Sequence, residues 1–199
     1  PAFNPPTDIA STSTTLTGAL MGALTVKTYF RSVVQSGACT VDYSSAVTIT
    51  VNPATVKGTV SADQTICSGS TPADLTLSGN TGTVLKWQQA TDAAFTTATD
   101  IVNTSATLTG AAIGALTTTT YFRAVVQSGI CSAANSTAAI ITIDPLSVGG
   151  TPSANQTICT GSTPATLTLA GNTGNVIKWQ KSTVSDFSSA VTDIAVANT

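Results

Sequence analysis

From Ser45 to Val51 the chain reads SAVTITV, with apolar residues at every second position and threonine between them. Alternation of this kind is the period of a β-strand, so the segment predicts one buried face and one threonine-covered face. Comparable runs predict strands near 15–18, 28–35 and 44–51. Eight more are predicted near 55–60, 64–67, 73–78, 83–90, 99–103, 106–109, 118–127 and 136–143. Turn signals separate them: Ser36-Gly37, Ser68-Gly69, Thr71-Pro72, the run Gly79-Asn80-Thr81-Gly82, Gly110, Gly114 and Ser128-Gly129. Pro1, Pro5 and Pro6 exclude a central strand in the first fourteen residues, where an edge or loop is expected. Nowhere do apolar residues sustain the i, i+3, i+4, i+7 spacing of a helix.

The pattern also repeats on a longer scale. Thr15–Cys39 and Thr107–Cys131 are identical at 19 of 25 positions without a gap, and Gln64–Gln88 matches Gln156–Gln180 at 20 of 25. Tyr29/Tyr121, Cys39/Cys131, Cys67/Cys159 and Trp87/Trp179 are all offset by 92 residues. That period is too long for a solenoid unit and suits a small domain. Residues 1–52 then read as the C-terminal part of one repeat, 53–144 as a complete repeat and 145–199 as the N-terminal part of the next. Asn52-Pro53 and Asp144-Pro145 punctuate the joints, and proline after a terminal strand stops the ladder and stiffens the connection. Short antiparallel strands in a unit of this size predict an all-β sandwich. Its core should hold Leu75, Leu77, Leu85, Trp87, Leu108, Phe122 (with Tyr121 as the alternative) and Ile141 or Ile143, with Arg123 facing outward.

Composition narrows the chemistry. Charged residues make up 8% of the chain, there is no histidine, and all nine acids are aspartate. A net charge of −2 offers no basic footprint for nucleic acid. Catalysis needs a group titrating near the working pH or a bound metal, and Asp63, Asp74, Asp92, Asp100 and Asp144 are scattered, with no calcium-loop spacing. No enzyme activity, cofactor or metal is therefore expected. Threonine, at 40 of 199 residues, favours strands and keeps their outer faces soluble with little charge. No apolar run is long enough to span a membrane.

Two cysteines per repeat at fixed phase predict one disulfide per domain, Cys67 with Cys131, and two buried free thiols are the alternative. Lys86 beside Trp87 raises the possibility of a sugar-stacking platform, against the stronger reading of Trp87 as core and Lys86 as surface.

An early cysteine, a tryptophan on the third strand, a tyrosine on the penultimate strand and a second cysteine after it resemble an immunoglobulin-like domain. Cys131 departs from the antibody pattern, because it follows the Tyr121 strand at the hairpin. A disulfide there would pin that hairpin to the Cys67 segment. Cys67, Gly79 to Gly82, Trp87, Phe95, Tyr121 to Val126 and Cys131 together look like the tandem Ig-like repeats of giant Bacteroidota cell-surface adhesins. Gliding-motility adhesins of the SprB type are examples. The resemblance implies export by type IX secretion and display on the outside of the outer membrane. A stalk function is then expected, in which neighbouring repeats of the same chain are the main partners and no part of this segment enters a membrane. Two other expectations remain open: repeats that bind polysaccharide through loops such as Gly79–Gly82, and spacer modules of a secreted enzyme. A fourth expectation pairs the two partial repeats of separate chains head to tail, with Cys159 bonded to Cys39.

Overall fold

The computed structural model describes residues 7–194; the proline-rich start at residues 1–6 and the last five residues lie outside the described range. In chain order, the first segment holds helix α1 (Gly18–Met21) and strands β1 (Thr28–Phe30), β2 (Val33–Val34), β3 (Asp42–Tyr43) and β4 (Val47–Ile49). Residues 53–144 hold β5 (Val56–Val60), β6 (Gln64–Cys67), β7 (Leu75–Thr81), β8 (Thr83–Ala90), β9 (Thr99–Ile101) and β10 (Thr107–Leu108). They continue with α2 (Gly110–Ile113), β11 (Thr120–Gln127), β12 (Ala134–Asn135) and β13 (Ala139–Asp144). The last segment holds β14 (Thr151–Pro152), β15 (Leu169–Ala170), β16 (Trp179–Lys181) and β17 (Thr192–Ile194). Among the described residues the chain is all-β apart from two single helical turns.

Within residues 53–144 the strands form two sheets. One has the order β10-β7-β5; the other runs β6-β13-β11-β8-β9, with β12 paired to β11. Alternation along each strand turns one side toward the other sheet. Val60, Leu75, Leu77 and Leu108 come from the smaller sheet. Val84, Trp87, Phe122, Ala124, Val126, Ala139 and Ile141 come from the larger, and all eleven form one buried cluster. Trp87 and Phe122 have no exposed surface, and the Trp87 indole N–H donates to the Ser105 carbonyl at 3.0 Å. Burying an indole without that partner would leave an unsatisfied donor.

Three expectations need correction. Leu85 was placed in the core by simple alternation, yet it is 43% exposed. Opposite β11, Val125 pairs Lys86 while Val126 pairs Val84, so Leu85 is the extra residue of a β-bulge. The bulge resets the phase, and Val84 takes the inward place. Second, not every pairing is antiparallel: β6 runs parallel to β13, with Gln64 opposite Ile141 and Cys67 opposite Asp144. Third, the first segment does not form a strand at 15–18. Its one-turn helix α1 starts at Gly18, and the long strand expected at 28–35 is broken into β1 and β2.

Corners are set by local geometry. At Gly82 the chain passes from β7 in one sheet to β8 in the other with φ of +113°, and a Cβ there would lie 2.5 Å from the Gln127 backbone. Helix α2 is a single turn capped by Thr109, whose hydroxyl accepts from the Ala112 N–H at 3.3 Å. Asp74 fixes its start by accepting from the Gly110 N–H at 2.8 Å.

Candidate functional site

The outer face of the larger sheet carries a linked cluster of charged and polar side chains. Lys86 Nζ lies 2.7 Å from Asp100 Oδ2, and the other oxygen of Asp100 accepts from the Gln88 side chain at 2.9 Å. Gln88 in turn accepts from Arg123 Nε at 2.9 Å, and the Arg123 guanidinium stacks 4.0 Å from the centroid of Phe95. Arg123 thus faces outward and covers an aromatic ring that is itself buried. These hydrogen bonds from Lys86 and Gln88 hold the Asp100 carboxyl below its ordinary pKa. Asp92 is lowered too, chiefly by the hydroxyl and backbone N–H of Thr96. Asp63 accepts from the Ile140 N–H at 2.8 Å. Asp63, Asp74, Asp92 and Asp100 therefore sit in separate structural bonds, and no three metal-ligating side chains cluster among the described residues.

Lys86 and Trp87 point to opposite faces, so they form no joint sugar platform: the indole is fully buried and Lys86 is engaged with Asp100. At the Gly79–Gly82 corner, the Asn80 side chain donates to the Gly82 carbonyl at 3.0 Å and shapes the turn. An open depression of about 340 Å³ beside Thr99 and Thr118 is lined by hydroxyls and small apolar groups, with no charged side chain.

A larger hollow of about 550 Å³ lies in the last segment, between Val176, Trp179 and Phe187. These residues stand one period after Val84, Trp87 and Phe95, which are buried in the complete repeat. Positions that are buried within residues 53–144 thus line an open hollow here. The same contrast holds along both flanks: Leu75 is fully buried and Leu167 is 51% exposed, while Val126 is fully buried and Val34 is 59% exposed.

The sequence did not foretell a clamp that fastens β6 to the connection leading into β7. The Gln64 side chain donates to the Ala73 carbonyl at 3.1 Å and accepts from its N–H at 2.8 Å. Gln156 does the same to Ala165 at 3.1 and 2.7 Å. Only the identity of both glutamines across the period could have signalled it.

The expected bond between Cys67 and Cys131 is not formed, and Cys39, Cys67, Cys131 and Cys159 are all free. Its geometry is unattainable within one repeat. Cys67 lies level with Asp144, beyond the start of β11, where Ile143 N–H donates to Thr119. Cys131 lies in the hairpin beyond the other end of β11. Eight residues of strand separate the two levels, about 26 Å at 3.3 Å per residue, against a Cα separation of about 7 Å at most for a disulfide. Parallel pairing of β6, which the sequence did not foretell, carries Cys67 to the far end. Cys39 and Cys159 occupy equivalent phases, so the same distance opposes their pairing within a repeat completed by two chains.

The class defined here is an all-β protein whose residues 53–144 form two packed sheets. Residues 4–53, 56–145 and 148–199 each match the family described as "Domain of unknown function (DUF8696)". The chain belongs to that family. No curated protein and no solved structure matches it.

Proposed function

We propose that this chain is a stalk segment of a long extracellular adhesin displayed on the outer membrane, made of tandem immunoglobulin-like sandwiches. The strand order supports the Ig-like assignment. β13-β11-β8 lie adjacent as the G, F and C strands of such domains do, and β5, β7 and β10 form the opposing sheet as A, B and E do. The tandem resemblance to giant adhesins, including those of gliding motility and type IX secretion, supplies the cell-surface setting.

One observation carries the reading: a set of the repeat's aromatic and charged side chains is used to hold the repeat itself. Trp87 fills the core, Phe95 lies under Arg123, and Asp63, Asp74, Asp92 and Asp100 tie strands and turns. A unit spent on its own cohesion and copied at a fixed period lengthens a rod. Insertion of a second copy of residues 53–144 after Asp144 tests this by small-angle scattering. The maximum dimension should grow by roughly 35–40 Å, the length of strands of about ten residues with their turns. No growth, or tight sugar-specific binding abolished by Asn80→Ala, would sink the stalk reading in favour of a binding module.

A further inference from the structure

We infer that consecutive repeats are joined by a disulfide between Cys67 of one repeat and the cysteine that stands in the following repeat where Cys131 stands here. Both cysteines address the same joint, from opposite sides. Cys67 is opposite Asp144 in the parallel β6–β13 pair, and the next N–H along, that of Ser68, donates to the Asp144 carbonyl at 2.8 Å. Cys131 lies against the joint one period earlier. Its sulfur is 4.0 Å from the Asn52 carbonyl oxygen and 3.5 Å from that of Pro53. Gly129 packs on the Asn52 side chain so closely that a Cβ would collide with it, which holds the hairpin against the joint.

Asn52-Pro53 and Asp144-Pro145 are the same place in successive periods. Moving the contact of Cys131 forward by one period sets the late cysteine of the next repeat against the carbonyls of Asp144 and Pro145. The segment carrying Cys67 is already hydrogen-bonded to that Asp144 carbonyl. Neighbouring paired residues in a sheet are about 5 Å apart, inside the Cα range that a disulfide spans. Orientation agrees as well. Ile66 packs against the core, so Cys67, next along β6, is on the outer, exposed face.

Bond formation needs an oxidant, and a small disulfide such as oxidised glutathione suffices. One cysteine thiolate attacks it and releases one reduced thiol; the second cysteine then displaces the other. Two protein thiols and one disulfide give one protein disulfide and two reduced small thiols, with the two protons carried off on the released thiols.

The test uses the full chain with residues 53–144 repeated once after Asp144. One version keeps only Cys67 of the first whole repeat and Cys131 of the second. The other keeps only Cys67 and Cys131 of the same repeat, and every remaining cysteine is serine in both. After dilute incubation with oxidised glutathione, peptide mapping without reduction should find a single intramolecular disulfide in the first version. The second should end as two glutathione adducts. The version with no serine substitutions should show the same cross-repeat bond, which guards against a folding defect in the variants. A disulfide within one repeat, or two adducts in the cross-repeat version, would overturn the inference whether or not the chain serves as a stalk.

Discussion

At the scale of single residues, Trp87 and Leu85 are two places apart on β8 and have opposite fates. Alternation assigned both to the core, and it was right for the indole and wrong for the leucine. Nothing in the letters marks the bulge, because its extra residue is defined by pairing with Val125 and Val126. The two positions therefore make a paired prediction. Trp87→Ala removes a fully buried ring and a hydrogen bond to Ser105, and should cost about 3–5 kcal/mol. Leu85→Thr changes an exposed residue on a strand and should stay within about 0.5 kcal/mol. Urea unfolding midpoints measured on the full chain check both. A large loss at Leu85 would show that the bulge has been assigned to the wrong residue.

At the scale of elements, the extents of β6 and β8 were legible and the connections were not. β6 and β8 begin and end where their apolar pattern predicts, because each strand shows one face to a common core. α2 escaped notice since four residues, GAAI, are too few to display a helical period; its evidence is a cap at Thr109 and Asp74 bonded to Gly110. The direction of β6 was equally hidden, since period alone does not say which neighbour a strand joins. Glycine positions were read as turns, but their costs differ by what lies beside them. Gly82→Ala should destabilise by about 2–5 kcal/mol, from left-handed backbone plus collision with the Gln127 main chain. Gly79→Ala, with φ of +68° and open space around it, should cost only about 1–2 kcal/mol of backbone strain. Thermal unfolding of the two variants side by side checks the ranking, and equal losses would contradict this account of the corner.

At the scale of the whole molecule, the 92-residue period was the most legible property, since near-identical blocks announce it without any knowledge of the fold. What happens at the ends of a repeat was not legible, because the cysteines, Gln64 and Asn52 meet their neighbours only through three-dimensional pairing. Repetition also makes the acid response collective. Asp100 and Asp193 each hold a lysine and a glutamine, at 2.7 and 2.9 Å for the lysines, and both carboxyls are lowered by those hydrogen bonds. Asp92 and Asp186 are lowered by hydrogen bonds from Thr96 and Ser188. A carboxyl with a folded pKa below its unfolded value of 3.8 binds protons more readily when unfolded. Its contribution to stability is thus present above that value and disappears as pH falls through the lowered folded value. With no histidine in the chain, no imidazole titrates between pH 5 and 7. The melting temperature should therefore be level over that interval and fall below about pH 4. Because the carboxylates are exposed and salt screens such pairs, the fall should be shallow. Asp100→Asn should reduce the acid-dependent part of the change in a calorimetric pH series. A transition centred near pH 6, or an acid response unaltered by that substitution, would mean that other groups govern how the repeats respond to protons.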